Sequence, residues 1–383
     1  MLAKSWLLAF SFAIVAPAFQ SPLRVRIDAR SGCVTCRLET VQVATLRPPD
    51  GAASVGHSSQ VVRDSRGRFL VLSDTRQQML LFDGRGTFLR EVGRAGRGPG
   101  EFRSIASLMI GPGDSLFVFD LGQRLHVFDS SLVLVRSTAS FLTPQGPFAL
   151  EGGRILGRVN FGSADSRAGY PAYIIDDSRS TAQPVGRKFD VVRNGRCGDC
   201  DQPTVYPSPQ PNRLWLAPAN RYEIDEIATS NSSILRQIAV DGSAWFTPWD
   251  SAGRWATGVA PRPSTITSVS QGDDGLLWIL GVRTPAGWTP TPAPQTPDFA
   301  ARVAAGVAGS EVASWQAEIR SKLESVVDVI DLNRGQLLGT LTVRRDIRQV
   351  APGVFYSIAE TQNLDLAVEV FQVVVRRQAE FRE

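Results

Sequence analysis

Short apolar runs separated by turn-forming residues recur along almost the whole chain, and this is the pattern of many short β-strands. Two stretches share a register. Residues 69–83 (FLVLSDTRQQMLLFD) and 115–129 (SLFVFDLGQRLHVFD) each hold an apolar run ending in Asp and then an apolar run ending in Phe-Asp. The two stretches align 46 residues apart (115 minus 69), a spacing typical of a repeated unit of antiparallel strands. The sequence therefore predicts a repetitive all-β fold.

Each unit is predicted to hold four strands, which is the size of a β-propeller blade. In the first two units the strands cover residues 58–63, 69–73, 79–83 and 88–92, then 105–110, 116–119, 125–128 and 132–137. Later units are weaker, and their strands cover residues 154–159 and 173–176 (third), 213–217, 222–228 and 234–240 (fourth), 266–270, 276–282, 326–331 and 336–343 (fifth), and 347–350, 354–360 and 368–375 (sixth). The innermost strand of the fourth unit is not located by this pattern.

The sixth unit lacks its outer strand, and a strand near the N-terminus can supply it. Residues 38–46 (LETVQVATL) read as a strand but precede the first unit and have no blade of their own. Pairing this strand with the last blade would close the ring and cover an exposed sheet edge. The sequence thus predicts one domain over residues 38–383, a six-bladed β-propeller closed by an N-terminal strand.

The long connections between strands are predicted to lie on one face of the ring. Strands in a blade alternate in direction, so the connection from the second to the third strand shares a face with the connection to the next blade. The long connections cover residues 93–103, 160–170, 193–211, 241–263 and 284–324. Because binding residues are concentrated on loops held by a rigid scaffold, we expect a binding site on this face near the central channel.

The largest connection, residues 284–324 in the fifth blade, is predicted to be a helical insertion. A Pro-rich spacer leads into a stretch from about 298 to 324 in which Val312, Trp315, Ile319 and Leu323 fall at helical spacing. The insertion could cover the channel as a lid, or it could pack against the propeller without any role in binding.

Residues 69–102 also resemble a known repeat. Asp74, the Phe82-Asp83 pair, the Gly84-Arg-Gly86 turn and the segment from Gly93 to Phe102 (GRAGRGPGEF) are similar to an NHL repeat, the unit of a group of six-bladed propellers. The chain also resembles exported bacterial six-bladed propeller proteins of that group. The resemblance implies the fold but no particular activity, because this scaffold carries unrelated functions.

The N-terminus has the pattern of an export signal. Lys4 precedes an apolar stretch over residues 6–15, and Ala16-Pro17-Ala18 is a small-x-small cleavage pattern, so residues 1–18 are predicted to be a signal peptide. No second apolar stretch has the roughly 20 residues that a membrane-spanning helix needs. We therefore expect an extracytoplasmic protein, periplasmic or secreted, that does not span a membrane.

The charge of the chain gives no indication of a nucleic-acid partner. The net charge is only +4, and the arginines are dispersed along the sequence. Recognition of phosphate backbones would require them to be clustered. Together with the export signal, this argues against nucleic-acid binding.

The four cysteines form two Cys-x-x-Cys pairs, Cys33 with Cys36 and Cys197 with Cys200. An even number in an exported chain favours two local disulfides. A four-thiolate zinc site is the alternative, since two such pairs supply the right ligand number. The propeller argues against shared zinc, because the first pair lies in an N-terminal extension (residues 19–37) and the second in a loop of the opposite face.

The sequence lacks a catalytic signature. Only two histidines, His57 and His126, are present, so a three-histidine zinc centre cannot be built. Asp74 and Asp120 could in principle hold calcium at the channel, but their equivalent positions in two units favour a structural role in turns. No nucleophile elbow, phosphate loop or His-Glu-x-x-His motif occurs.

Five residues are the candidates for ligand binding. Arg94 and Arg97 could contact an acidic ligand, although the glycines around them are also typical of a turn. Trp245, Trp249 and Trp255 belong to one predicted loop and could stack on a saccharide or bind a protein partner. Packing between blades is the competing explanation for these tryptophans.

The sequence as a whole predicts an exported, monomeric, non-catalytic binding module with a protein, small-molecule or saccharide ligand. The alternative is a divalent-cation-dependent enzyme, because the lactonases and lyases that share the six-bladed fold hold metal ligands around the channel mouth. No cofactor is expected, and calcium at the channel is the one ion that the sequence leaves open.

Overall fold

The computed structural model describes residues 21–140, 142, 144–159, 161, 165–166, 168–176, 178–188, 204–249, 261–291, 315, 318–361 and 365–377. Within these residues the chain forms 27 β-strands, numbered β1 to β27 in chain order. The all-β class is confirmed.

Six antiparallel sheets of four strands form the blades of a propeller, as predicted. The first three blades contain β3 (Val61–Arg63), β4 (Phe69–Leu72), β5 (Met79–Phe82) and β6 (Phe88–Val92); β9 (Ile105–Ile110), β10 (Leu116–Asp120), β11 (Arg124–Phe128) and β12 (Leu134–Ala139); and β13 (Gln145–Ala149), β14 (Ile155–Arg158), β15 (Ala172–Asp176) and β16 (Thr181–Val185). A short parallel pair, β7 (Arg94–Ala95) and β8 (Glu101–Phe102), lies between the first two blades.

The last three blades follow the same order from the channel outwards. They contain β17 (Thr204–Pro207), β18 (Arg213–Ala217), β19 (Glu223–Ala228) and β20 (Ile234–Asp241); β21 (Thr265–Gln271), β22 (Leu276–Arg283), β23 (Glu324–Asp331) and β24 (Gln336–Val343); and β25 (Arg348–Ala351), β26 (Val354–Glu360), β27 (Leu366–Arg377) and β2 (Cys36–Leu46). The innermost strand of the fourth blade, which the sequence pattern did not locate, is therefore Thr204–Pro207. The predicted connection over residues 193–211 contains this strand.

Strand alternation explains how the blades pack. Successive side chains of a strand point to opposite sides of the sheet, so every strand contributes to two interfaces. In β4, Phe69 and Val71 are buried against the sixth blade, whereas Leu70 and Leu72 are buried against the second. The described residues form six such apolar clusters, one between each pair of neighbouring blades. The run of four buried apolar residues in one short strand follows from this arrangement.

The N-terminal strand closes the ring as predicted. β2 pairs antiparallel with β27, with Leu38 opposite Val375 and Leu46 opposite Val368. Leu46 is fully buried between the sixth and first blades. The two ends of the chain are thus held in one sheet, and closure depends on backbone hydrogen bonds as well as on apolar packing.

A second N-terminal strand was not predicted. β1 (Leu23–Asp28) pairs in parallel with β20 and becomes a fifth strand of the fourth blade. The chain then passes the fifth blade, where the backbone N–H of Cys33 donates to the carbonyl of Leu337 at 2.9 Å, before it enters β2. Most side chains of β1 are exposed, and Ile27 is its one buried residue. A strand with so little apolar burial has a weak sequence signal.

The repeated aspartates stabilise equivalent turns. Asp83 accepts hydrogen bonds from the backbone N–H groups of residues 85 and 87 at 2.9 and 2.8 Å. Asp129, at the same position of the next blade, accepts from residues 131 and 133, both at 2.9 Å. The carboxylate of Asp120 accepts from the backbone N–H groups of residues 103, 104 and 122. A structural role for Asp120, expected from the repeat, is therefore what its contacts show.

The long connections share one face, referred to below as the loop face. The strands that flank residues 47–60, 93–104, 159–171, 242–264 and 284–323 end and begin on this face, whereas turns of the opposite face, such as 64–68 and 272–275, are short. In the insertion of the fifth blade, residues 315 and 318–321 are helical, and β23 begins at Glu324, so the helix ends before the predicted residue 324. The predicted helical stretch before Trp315 lies outside the described residues.

One of the two predicted disulfides is present. Cys33 and Cys36 are joined by a disulfide, which lies just before the outer strand of the sixth blade. Cys197 and Cys200 lie outside the described residues. No helix in the described part of the chain is long and apolar enough to cross a membrane.

Candidate functional site

The central channel widens towards the loop face into a cavity of about 680 Å³. The inner strands of five blades contribute to its wall: β3, β13, β17, β21 and β25. The inner strand of the second blade, β9, does not line this cavity. A cavity of about 390 Å³ at the rim shares Arg320, Asp346, Arg348 and Tyr356 with it, so the two adjoin. Volumes of this size are typical of small-molecule sites.

Four arginines and one aspartate line the large cavity. Arg158 donates to the side chain of Gln145 at 3.2 Å. The other charged residues are referred to below as the channel mouth: Arg262, Arg320, Arg348 and Asp346. Arg262 lies just before β21, and Arg320 is in the insertion of the fifth blade. Asp346 and Arg348 lie between the fifth and sixth blades, where β25 begins. Three separate connections of the loop face therefore bring these charged side chains together.

Asp346 is shared by two of the arginines. Its Oδ2 atom lies 3.7 Å from Nε of Arg320 and 3.5 Å from Nη2 of Arg348. These side chains are each about one-third exposed, at 30–33%. An ion pair of this length and exposure contributes little stability, so the arrangement is not explained by a structural salt bridge alone.

Arg348 is fixed by contacts across the closure of the ring. Its Nη1 and Nη2 atoms donate to the carbonyls of Ser59 and His57 at 3.1 and 3.0 Å. Its guanidinium lies 5.9 Å from the ring centroid of Tyr356, whose hydroxyl donates to the carbonyl of Ser59 at 3.3 Å. The loop before the first blade thus holds Arg348 in place at the mouth.

Burial and the neighbouring charges shift the pKa values of Arg262 and Arg320. Burial lowers the pKa of Arg262, and the Arg320 guanidinium lowers it further while Asp346 raises it. Burial also lowers the pKa of Arg320, with Arg348 acting in the same direction against Asp346. Arginine stays protonated in proteins, so both side chains carry their charge at neutral pH. Arg320 and Arg348 therefore place two positive charges beside the carboxylate of Asp346.

Two further arginines of the rim are accounted for by other carboxylates. Arg344 lies 3.7 Å from Glu324, and Arg345 pairs with Glu369 at 2.5 Å. Both line the smaller cavity. Because each has an acidic partner outside the mouth, neither adds to the excess charge around Asp346.

The rest of the cavity wall is largely apolar or neutral. Phe148, Leu156, Tyr206, Leu280 and Leu323 contribute apolar surface. The neutral polar side chains are Gln60, Gln145, Thr267, Ser268 and Gln349. Several of these are already paired: Gln60 exchanges two hydrogen bonds of 2.9 Å with the backbone of Leu108, and Ser268 donates to Gln349 at 2.6 Å. The wall combines apolar surface with a charged end.

The candidate arginines Arg94 and Arg97 lie elsewhere on the loop face. Arg94 forms an ion pair with Glu101 at 2.7 Å, and the same carboxylate accepts from the backbone N–H of Arg97 at 3.0 Å. The loop is closed on itself, with Gly93 at φ +81° against the ring of Phe102. The turn chemistry expected from the glycines is present, and neither arginine lines a cavity described above.

The candidate tryptophans Trp245 and Trp249 have different surroundings. Trp245 is 4% exposed, and its indole N–H donates to Asp328 at 2.8 Å between the fourth and fifth blades, which favours the packing explanation. Trp249 is half-buried and donates to the carbonyl of Ser264 at 2.9 Å. Trp255 lies outside the described residues. Neither Trp245 nor Trp249 lines the two cavities described above.

The histidines and acidic residues form no metal cluster within the described residues. His126 is fully buried in β11, where its ring lies 5.0 Å from that of Phe102. Burial lowers the pKa of His126. No group of three or more His, Cys, Asp or Glu side chains in the described part of the chain is arranged to hold a metal ion.

Sequence reasoning missed the charged residues of the mouth. A partial signal was present, since Arg262 and Arg320 fall within two of the long connections assigned to the loop face, and Arg262 is flanked by Pro261 and Pro263. Arg348 gave no signal of its own, because it begins a short inner strand. These residues are separated by up to 86 positions (348 minus 262), and the packing of the fifth blade against the sixth brings them together.

Comparisons with known proteins agree with the fold. A family model described as a 6-bladed beta-propeller matches residues 54–138. No curated protein matches the sequence. Among solved structures, a Bacteroides fragilis protein whose name describes it as exported has a TM-score of 0.57 at 11% identity, and the match covers 93% of this chain and 99% of that chain. Virginiamycin B lyase from Staphylococcus aureus has a TM-score of 0.40 at 10% identity, covering 88% of this chain and 99% of that one. At such identities the first likeness supports the fold alone, and the second carries no argument.

Proposed function

We propose that this chain is an extracytoplasmic, non-catalytic binding module whose ligand occupies the central channel from the loop face. One observation carries the proposal. A cavity of about 680 Å³ ends at a cluster of partly buried charged side chains that contribute little to stability as ion pairs. Such a combination of apolar walls and a few convergent polar groups is the usual anatomy of a ligand site.

Export is supported by chemistry as well as by the N-terminal pattern. The disulfide between Cys33 and Cys36 fits an oxidising compartment, because cytosolic thiols are normally kept reduced. Mass spectrometry of the protein recovered from the periplasm or medium tests this, and we expect an N-terminus at Phe19. Retention of the full-length chain in the cytoplasm would contradict export.

The metal-dependent alternative has less support. A metal-dependent lactonase or lyase needs several ligands that converge on one ion, whereas the described residues bring no such group together. The test is elemental analysis of the purified, dialysed protein. Stoichiometric calcium or another divalent ion would favour the enzyme.

The binding function is tested with a variant that blocks the channel. Gln145 lines the large cavity and has an exposed side chain, so Gln145→Trp should fill part of the cavity while the fold is retained. The panel contains neutral saccharides, amino acids and small organic acids, and the measurement is the shift of Tm. We expect at least one compound to raise the Tm of the wild type and not that of Gln145→Trp. A panel without effect on the wild type, or with equal effects on both proteins, would contradict a channel site.

A further inference from the structure

The disulfide between Cys33 and Cys36 lies where the chain passes from the fifth blade to the outer strand of the sixth. We propose that this disulfide is a redox-active site: a dithiol reduces it to two thiols, and a disulfide oxidant restores it, while the propeller stays folded. The inference is independent of the ligand in the channel and adds a reactive site on the outer rim of the ring.

The first argument is access. Val34, between the two cysteines, is 97% exposed, and Thr35 is exposed as well. The cysteines themselves are half-buried, beside the apolar cluster between the fifth and sixth blades. A disulfide exchanges with any thiolate that reaches one of its sulfur atoms, so a bridge in an exposed turn can be reduced without unfolding of the protein.

The second argument is that the fold does not depend on the bridge. The disulfide encloses only residues 33–36, and a cross-link over so short a loop removes little entropy from the unfolded chain. The neighbouring strands are held independently, since β2 pairs with β27 from Cys36 to Leu46 and β1 pairs with β20 along its whole length. The hydrogen bond from Cys33 to Leu337 uses the backbone N–H and not the sulfur. Reduction should therefore leave the ring closed.

The third argument concerns groups that stabilise a thiolate. The hydroxyl oxygen of Thr35 lies 3.7 Å from Sγ of Cys33, and because a disulfide sulfur carries no hydrogen, the hydroxyl is the donor. Arg377 is directly opposite Cys36 in the β2–β27 pair, so the two side chains leave the sheet on the same face with Cβ atoms about 5 Å apart. A neighbouring guanidinium favours the charged form of a cysteine, and the thiolate is both the nucleophile and the leaving group in exchange.

The reaction balances with a dithiol as the reductant. One thiolate of the dithiol attacks Sγ of Cys33, a mixed disulfide forms, and the bond between the two cysteines breaks with its electron pair on the sulfur of Cys36. The second thiolate of the dithiol then attacks the mixed disulfide, and Cys33 leaves as a thiolate. The dithiol is oxidised to a disulfide, and the two cysteines take up the protons that it lost. Cys36 is assigned as the first leaving group because Arg377 is opposite it.

The experiment uses the oxidised mature protein without denaturant, and dithiothreitol is the dithiol. Samples are alkylated with iodoacetamide at intervals, digested with trypsin and analysed by mass spectrometry, while circular dichroism follows the fold. Trypsin releases residues 31–37 and 197–213 as separate peptides, so the two cysteine pairs are scored independently. We expect Cys33 and Cys36 to be alkylated without a change in the circular dichroism. After removal of dithiothreitol, oxidised glutathione should restore the bridge.

The variant Arg377→Gln removes the charge opposite Cys36. The rate constant of reduction should fall about threefold, because a less stabilised thiolate leaves more slowly. Arg376→Gln is the matched control, since Arg376 is opposite Arg37, pairs with Glu39 at 3.8 Å and points to the other face of the sheet. This control should react at the rate of the wild type. Both arginines are exposed, so we expect both variants to fold.

The outcomes decide between a reactive and a structural bridge. If the bridge resists dithiothreitol until denaturant unfolds the protein, or if the circular dichroism is lost as the cysteines react, the proposal is overturned. Reduction of Arg377→Gln at the rate of the wild type would overturn the thiolate argument. Failure of oxidised glutathione to restore the bridge would refute reversibility. None of these results bears on the channel site, whose test is the shift of Tm in the wild type and in Gln145→Trp.

Discussion

Two aspartates lie between blades of this propeller, and their surroundings are opposite. Asp328 lies between the fourth and fifth blades, is 1% exposed, and accepts hydrogen bonds from Tyr222, Trp245 and Thr340 at 2.5, 2.8 and 2.5 Å. Asp346 lies between the fifth and sixth blades, is about one-third exposed, and lies within ion-pair distance of Arg320 and Arg348. One carboxylate is enclosed by neutral donors, and the other is open to a cavity.

The difference teaches which polar groups hold the ring together. A fully buried carboxylate is tolerated only if its oxygens are satisfied, and the three donors around Asp328 satisfy them. Burial raises the pKa of Asp328 while the hydrogen bonds from Thr340, Tyr222 and Trp245 lower it, so burial prevails. Asp346 lacks this enclosure, and its contacts are better suited to positioning arginines than to stabilising the fold.

The largest effect is expected for Asp328→Ala. The substitution leaves three buried donors without their acceptor, and we expect the free energy of unfolding to fall by about 3 kcal/mol. Urea unfolding followed by tryptophan fluorescence measures the change. The matched substitution Asp346→Ala should cost less than about 1 kcal/mol, because its ion pairs are partly exposed. Equal losses at the two sites would break the comparison.

The next effect concerns the packing that encloses Asp328. A Cβ atom at Gly281 would lie 2.2 Å from Cη2 of Trp245, whose indole donates to Asp328. We expect Gly281→Ala to displace this ring and to cost about 2 kcal/mol in urea unfolding. Gly84→Ala is the control, because a Cβ atom at Gly84 would come no closer than 3.3 Å to a neighbouring atom, the carbonyl oxygen of Gly67. A similar loss in both variants would show that Trp245 has room to move.

A smaller effect is expected from pH. The raised pKa of Asp328 means that the folded protein keeps a proton that the unfolded chain releases near 3.8. This contribution to stability is complete below that pH and is lost as the pH rises towards the folded value. The free energy of unfolding of the wild type, relative to Asp328→Asn, should therefore decrease as the pH rises above 3.8.

The control for the pH series has the opposite sign. The pKa of Glu101 is lowered by three hydrogen bonds that its carboxylate accepts. The donors are the backbone N–H of Gly98, the side chain of Arg94 and the backbone N–H of Arg97. Relative to Glu101→Gln, the wild type should lose stability as the pH falls below about 4.5, the ordinary value for this carboxyl. The difference in free energy of unfolding should thus change with pH in opposite directions for the Asp328→Asn and Glu101→Gln comparisons. A change in the same direction for both would contradict a raised pKa for Asp328.

The sequence predicted the regular part of the propeller well. The first two blades have strongly apolar strands and Asp-containing turns at a fixed spacing, and the structure places β3 to β6 and β9 to β12 accordingly. The closing strand β2 was also predicted, because its apolar positions needed a partner. Four strands were missed, β1, β13, β16 and β17. β1 and β16 each have one buried residue, β13 has none, and β17 is only four residues long. The apolar pattern of the sequence thus predicts a strand where the strand buries several side chains at regular spacing.

The candidate site was predicted less well, and the reason is distance along the chain. Trp245 was a reasonable candidate because three tryptophans in one loop suggest a surface, yet its ring fills the space that Gly281 leaves in the neighbouring blade. Arg320 and Arg348 had no such local signal. The location of the site on the loop face followed from strand direction, whereas the residues that occupy it did not.

The sequence by itself determined the repeated strand unit, the closure of the ring and the face that carries the long connections. These features arise from alternating burial and turn residues, which act between near neighbours in the chain. Only the tertiary structure decided which charges meet at the channel. Packing of the fifth blade against the sixth brings together residues from separate connections. The burial that gives Asp328 and the mouth arginines their different chemistry exists only after the blades have packed.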